Sequence, residues 1–185
     1  MLAWTAVKVS YHAGDADSHD AQAADELTAH LDFLLSEERD AQGHGDTSLY
    51  LAAGARRALW LRVRGDGLSK ALPGLLDALK DAEHVIVESN SLLGFLKPAV
   101  FVMVIDELRQ DVKASARQFL ACADAFVAVT PCLAPSPRPE TILQVPKDRP
   151  VFTVSAGEWS SPDLCRFVSE RLATLGSADL QVGRC

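Results

Sequence analysis

The chain has 185 residues, 25 acidic against 18 basic side chains, a net charge of −7 and 48% apolar residues, the make-up of one well-buried globular domain. With a pI near 5.2 it has no general electrostatic attraction to nucleic acid or to an anionic membrane, so neither is expected as a partner. Its longest apolar stretches fall well short of the roughly 20 residues that cross a bilayer, and MLAWTAVKVS lacks the pattern of a secretion signal, so a cytoplasmic location is expected.

In chain order, Ala6, Val7 and Val9 around Lys8 read as a strand, followed by the polar loop YHAGDADSHD. Its three acids and two histidines could bind a metal, but the same mixture is common in solvated loops and caps. An Ala-rich helix is expected from Asp20 to about His30, and LDFLLSEE fits either its continuation or a short strand. Asp46 or Thr47 is expected to cap a helix over SLYLAAGA that stops near Gly54. Residues 58–63 read as a strand with Trp60 in the core, and Leu68, Leu72, Leu75, Leu76 and Leu79 recur at helical spacing, with Pro73-Gly74 expected to bend or restart that helix.

Residues 84–106 are the centre of the pattern. Val85, Ile86 and Val87 run without polar interruption into Glu88-Ser89-Asn90, as expected of a strand covered on both faces, and Phe101 to Ile105 runs in the same way into Asp106. Ala125 to Val129 repeats the pattern into Thr130. In open α/β sheets ligands bind beyond the carboxyl ends of the strands, which would put Glu88, Ser89 and Asn90 at the mouth of a site. Glu88 and Asp106, each at a strand end, offer the hard oxygens a divalent cation takes; the other reading is that both only cap the following turns.

Further on, a helix is expected from Asp111 through Cys122, an irregular connection over PCLAPSPRP, a strand at 151–154 and a helix from Ser161-Pro162-Asp163 through Leu172. The four cysteines have no zinc-finger spacing and read as reduced thiols, with Cys122 and Cys165 in the core and Cys185 exposed. The fold expected is a single α/β domain over 1–175 with a frayed tail at 176–185: a mostly parallel sheet with helices on both faces.

Three stretches carry a resemblance: AVKVSYHAGDADSH, Asp46-Thr47 with Ala53-Gly54-Ala55, and HVIVESN running to Pro98 and the next strand. Over residues 4 to about 130 the chain resembles the family of molybdopterin-guanine dinucleotide biosynthesis protein B (MobB) among the P-loop nucleotide-binding proteins. That resemblance implies a GTP-type nucleotide-binding accessory protein with Glu88 as the catalytic acid near Mg²⁺. It also implies Ser89 and Asn90 facing the phosphates, with Lys8 and His12 matching a basic strand end, so that Lys8 lines the phosphate site. Two departures stand against it. No glycine is followed by lysine anywhere in the chain, so the Gly-Lys-Ser/Thr phosphate cradle is missing, as though the first strand-loop-helix unit were absent. The strand that would lead to a guanine-reading Asn-Lys-x-Asp ends Val129-Thr130-Pro131-Cys132. Hydrolysis is therefore expected to be slow or lost, and the alternative from another class is a non-enzymatic binding protein that keeps the sheet and forms a homodimer.

Overall fold

A computed structural model describes residues 3–11, 31–106, 114–130, 145–155, 161–175 and 181–182. The readings of the loop after Tyr11 with His12, the helix at 20–30, the proline-rich 131–139, most of the tail at 176–185, Cys132 and Cys185 fall outside the described residues. The fold is α/β, with parallel strands, one antiparallel strand in the larger sheet, and helices. It forms two compact units, Met1–Ser89 and Asn90–Cys185.

The first unit contains β1 (Trp4–Tyr11), β2 (Phe33–Glu37), α1 (Asp46–Ala52), β3 (Arg57–Val63), α2 (Gly67–Leu79) and β4 (His84–Glu88). Its strands lie in the order β2-β3-β1-β4, with β1 parallel to β3 and β4 and β2 antiparallel to β3. LDFLLSEE is thus a strand. Its ladder with β3 continues past both ends, where Arg64 N–H donates to the Asp32 carbonyl and Glu38 N–H to that of Ala58, each at 2.9 Å.

Strand alternation gives this sheet two faces of different character. Val7, Leu59, Leu61 and Val63, all at most 2% exposed, line the face that α2 covers with Leu68, Ala71, Leu75 and Leu79. Burying a leucine such as Leu61 completely contributes about 1.5–3 kcal/mol. The far end of α2 is tied down where the Arg57 guanidinium donates to the Ala78 carbonyl at 3.0 Å. Pro73 does not restart the helix, which runs unbroken from Gly67 to Leu79 with the proline on its exposed side.

The opposite face carries Ala6, Lys8 and Ser10 from β1, Ala58, Trp60 and Arg62 from β3, and Glu88 from β4. It is covered in part by α1, so Trp60 is half-buried rather than core. The N-cap of α1 is Gly45, which has no side chain to cap with; the expected caps Asp46 and Thr47 lie inside the helix, where Asp46 accepts from Lys8 and Thr47 donates to Glu38. The helix stops at Gly54, whose φ of +98° suits a residue without Cβ. β4 is not covered on both faces as its apolar run suggests: it is an edge of this sheet, with Ile86 57% and Val87 39% exposed.

The second unit holds a 3-10 turn at Ser91–Gly94, β5 (Leu96–Lys97), β6 (Val102–Asp106), α3 (Ala114–Gln118), β7 (Ala125–Thr130), β8 (Val151–Ser155), α4 (Pro162–Leu175) and β9 (Gln181–Val182). β6, β7 and β8 form a parallel sheet in that order, and β5 pairs antiparallel with β9. Phe126, fully buried on the central strand, gathers Met103, Ile105, Ala123 and Val145 around it. α4 packs on β8 through Phe167 and Phe152, and begins where Ser161 Oγ accepts from Leu164 N–H at 3.3 Å. Cys122 is half-buried, while Cys165 is exposed and not in the core, since it falls on the outer side of α4.

Candidate functional site

Lys8 and Glu88 are register partners on neighbouring parallel strands, so their side chains leave the sheet on the same face, at the carboxyl end of β4. The Lys8 ammonium donates to both oxygens of Glu88, at 3.3 and 3.4 Å, and also to Asp46 at the start of α1. One turn further along α1 the Tyr50 hydroxyl donates to Glu88. Asp46 and Tyr50 stand four apart, the spacing that places two helical side chains on one side. The helix thus brings an acceptor and a donor to the sheet at once.

The result is one ammonium, two carboxylates and a phenol, with one surplus negative charge. Its carboxylates are open to solvent, at 58% for Glu88 and 52% for Asp46, while the Lys8 side chain is 21% exposed. Burial opposes the charge on Lys8, but the hydrogen bond to Asp46 and the field of Glu88 outweigh it and hold its pKa above the ordinary 10.5. Burial, and then the bond to Glu88, raise the Tyr50 pKa well above 10.0, so the phenol keeps its proton and acts as a donor.

Glu38 places α1. One of its oxygens accepts from the N–H groups of Arg39 and Asp40 at 2.9 and 3.0 Å. The other accepts from the Thr47 and Ser48 hydroxyls at 2.9 and 3.2 Å. Four donors on one carboxylate, with the Asp40 N–H contributing most, hold its pKa below the usual 4.5 and pin the two residues that follow Asp46.

Of the residues singled out from the sequence, the fold brings Lys8 and Glu88 together. Ser89 follows directly as the last residue of the first unit. Asn90 opens the 3-10 turn of the second unit, its carbonyl accepting from Leu93 N–H at 3.2 Å. Asp106 ends β6, also in the second unit, with its backbone in register with Val129. Sequence reasoning missed Tyr50 and treated Asp46 as a cap; the signal was their four-residue spacing, usable only once α1 was known to lie over β3 and β1.

Among the described residues no group of three or more His, Cys, Asp or Glu side chains is placed to hold a metal ion. Asp46 and Glu88 supply the hard oxygens that Mg²⁺ takes, but the Lys8 ammonium bridges both, so an entering cation would have to displace it. As arranged, these residues do not fit a resident Mg²⁺. No helix among the described residues is long and apolar enough to cross a membrane. No family model matches the chain, and no curated protein matches it.

Proposed function

We infer that the chain is a nucleotide-binding accessory protein of the MobB-like kind, slow or inactive in hydrolysis, with its ligand at the carboxyl ends of β1 and β4. The observation that carries this reading is topological. From β1 the chain moves to β3 on one side, then crosses back by way of α2 to β4 on the other, so the order reverses between β1 and β4. Open α/β sheets bind ligands at such a reversal, because the connections leave in opposite directions and open a crevice there. Lys8 and Glu88 meet at that point. The finer fold assignment, a P-loop-type sheet without its phosphate cradle, belongs to this reading, as does the role of Ser89 next to Glu88.

Slow hydrolysis follows from chemistry. Phosphoryl transfer relies on donors aimed at the developing charge, and Lys8, already shared between two carboxylates, has little field left for a phosphate. The test is calorimetric titration of GTP and ATP, with and without Mg²⁺, into the wild-type chain and Glu88→Ala. Binding weakened about tenfold or more by the substitution supports the reading. Absence of binding by the wild-type chain across the panel would reject it.

A further inference from the structure

On the same face of the first sheet, one step further toward the carboxyl ends of the strands, Arg62 lies with its guanidinium carbon 4.5 Å from the centre of the Trp60 ring. Unlike Arg57, which is paired with Glu37 at 2.9 Å, Arg62 has no carboxylate partner among the described residues. Its Nε is buried and has no hydrogen-bond acceptor among the described residues. Its Nη2, on the same edge of the guanidinium, reaches Ser36 Oγ only at 3.5 Å. A charged group held half-buried and unmatched among the described residues is costly unless something that binds there completes it.

The surroundings fix this side chain in place. The indole N–H of Trp60 donates to Ser10 Oγ at 2.8 Å, which locks the ring on which the guanidinium rests. Ser10 is the register partner of Arg62 on the same face, and its hydroxyl, accepting from Trp60, keeps a hydrogen to donate. The cavity beside Arg62, also lined by Asp32, Leu34 and Arg64, has a volume of about 10 Å³, room for one water, so a larger group would sit at its mouth.

We propose that Arg62, stacked on Trp60 and flanked by Ser10, is an anion subsite that takes a phosphoryl group. The Nε–Nη2 edge is a planar fork that matches two phosphate oxygens once the guanidinium turns its buried Nε toward the cavity mouth, and the Ser10 hydroxyl supplies a third donor. Lys8 cannot fill this role while it neutralises Asp46 and Glu88. Arg62 thereby supplies the cationic grip that the missing Gly-Lys-Ser/Thr would have given. The identity of the whole ligand as a nucleotide rests on the reading above; the subsite does not.

The test is calorimetric titration of inorganic phosphate and pyrophosphate into the full chain, with Arg62→Gln, Arg62→Lys and Ser10→Ala alongside and ionic strength matched with sodium chloride. The expected result is binding by the wild-type chain, weakened about tenfold or more in Arg62→Gln. Arg62→Lys should lose several-fold, because a point charge lacks the fork. No uptake of either anion by the wild-type chain, or equal affinity in Arg62→Gln, overturns the proposal. If circular dichroism shows Arg62→Gln unfolded, the other two variants decide: weakened binding supports the subsite and unchanged binding overturns it. Pyrophosphate uptake that needs Arg62, with no nucleotide bound, sustains the subsite and removes the nucleotide reading. Nucleotide bound equally by wild type and Arg62→Gln does the reverse.

Discussion

Glu38 shows how much of the site depends on one carboxylate that no motif points to. Thr47 and Ser48, both 4% exposed, donate to it, so Glu38→Ala strands two buried hydroxyls and should cost about 1–3 kcal/mol in denaturant unfolding. The sign of its pH dependence follows from its depressed pKa. The stabilisation is complete above the unfolded value near 4.5 and is lost as pH falls through the lower folded value. Glu37, held down first by its bond to Arg57, acts in the same direction. Glu38→Gln should therefore flatten, without abolishing, the loss of stability between neutral pH and about pH 3; an unchanged acid profile would contradict this role. Glu88 was legible in the sequence because an acid ending an apolar run marks a strand's mouth. Glu38 was not, since two acids after LDFLLS look alike until the chain has turned back on them.

At the scale of elements, α2 contains two glycines that local pattern cannot tell apart. A Cβ on Gly67 would lie 2.0 Å from the Asp32 carbonyl oxygen, a backbone atom that cannot swing aside. A Cβ on Gly74 would meet nothing within 4 Å. Gly67→Ala should destabilise by about 1–3 kcal/mol, whereas Gly74→Ala should stabilise by about 0.5–1 kcal/mol through helix propensity. Thermal melts of the two variants should move in opposite directions, and a shared direction would refute the account. The helix itself was readable from its leucine spacing. β2 was not, since LDFLLSEE satisfies both periods and only pairing with β3 decides between them. The apolar run of β4 misled for a related reason: it signals strand, but says nothing of how many neighbours a strand has in its sheet.

For the molecule as a whole, the strands paired on both sides are β3 and β1 in the first unit, β3 between β2 and β1 and β1 between β3 and β4, and β7 between β6 and β8 in the second. Val7, Ala125, Phe126 and Ala128 on these strands are fully buried. Amides at 5–9, 58–62 and 125–129 should therefore exchange slowest with deuterated solvent, and those of β2, an edge strand with every side chain half-buried or exposed, much faster. Protection of β2 equal to that of β1 would contradict the described pairing. The alternation of strands and helices made the α/β class readable, and the crossing from β3 to β4 could be suspected from the helix between them. The placing of β4 and β6 in different sheets could not, since the two look equally apolar in sequence. The tether on Lys8 has one more consequence. An ammonium anchored to the same strand ladder faces its carboxylates at a high effective concentration whatever the medium contains, so dilution does not strip it away and small changes in dissolved ions barely compete with it. The rim of the first sheet carries its counter-ion with it, and its charge balance is an inherited property of the chain rather than one set by its surroundings.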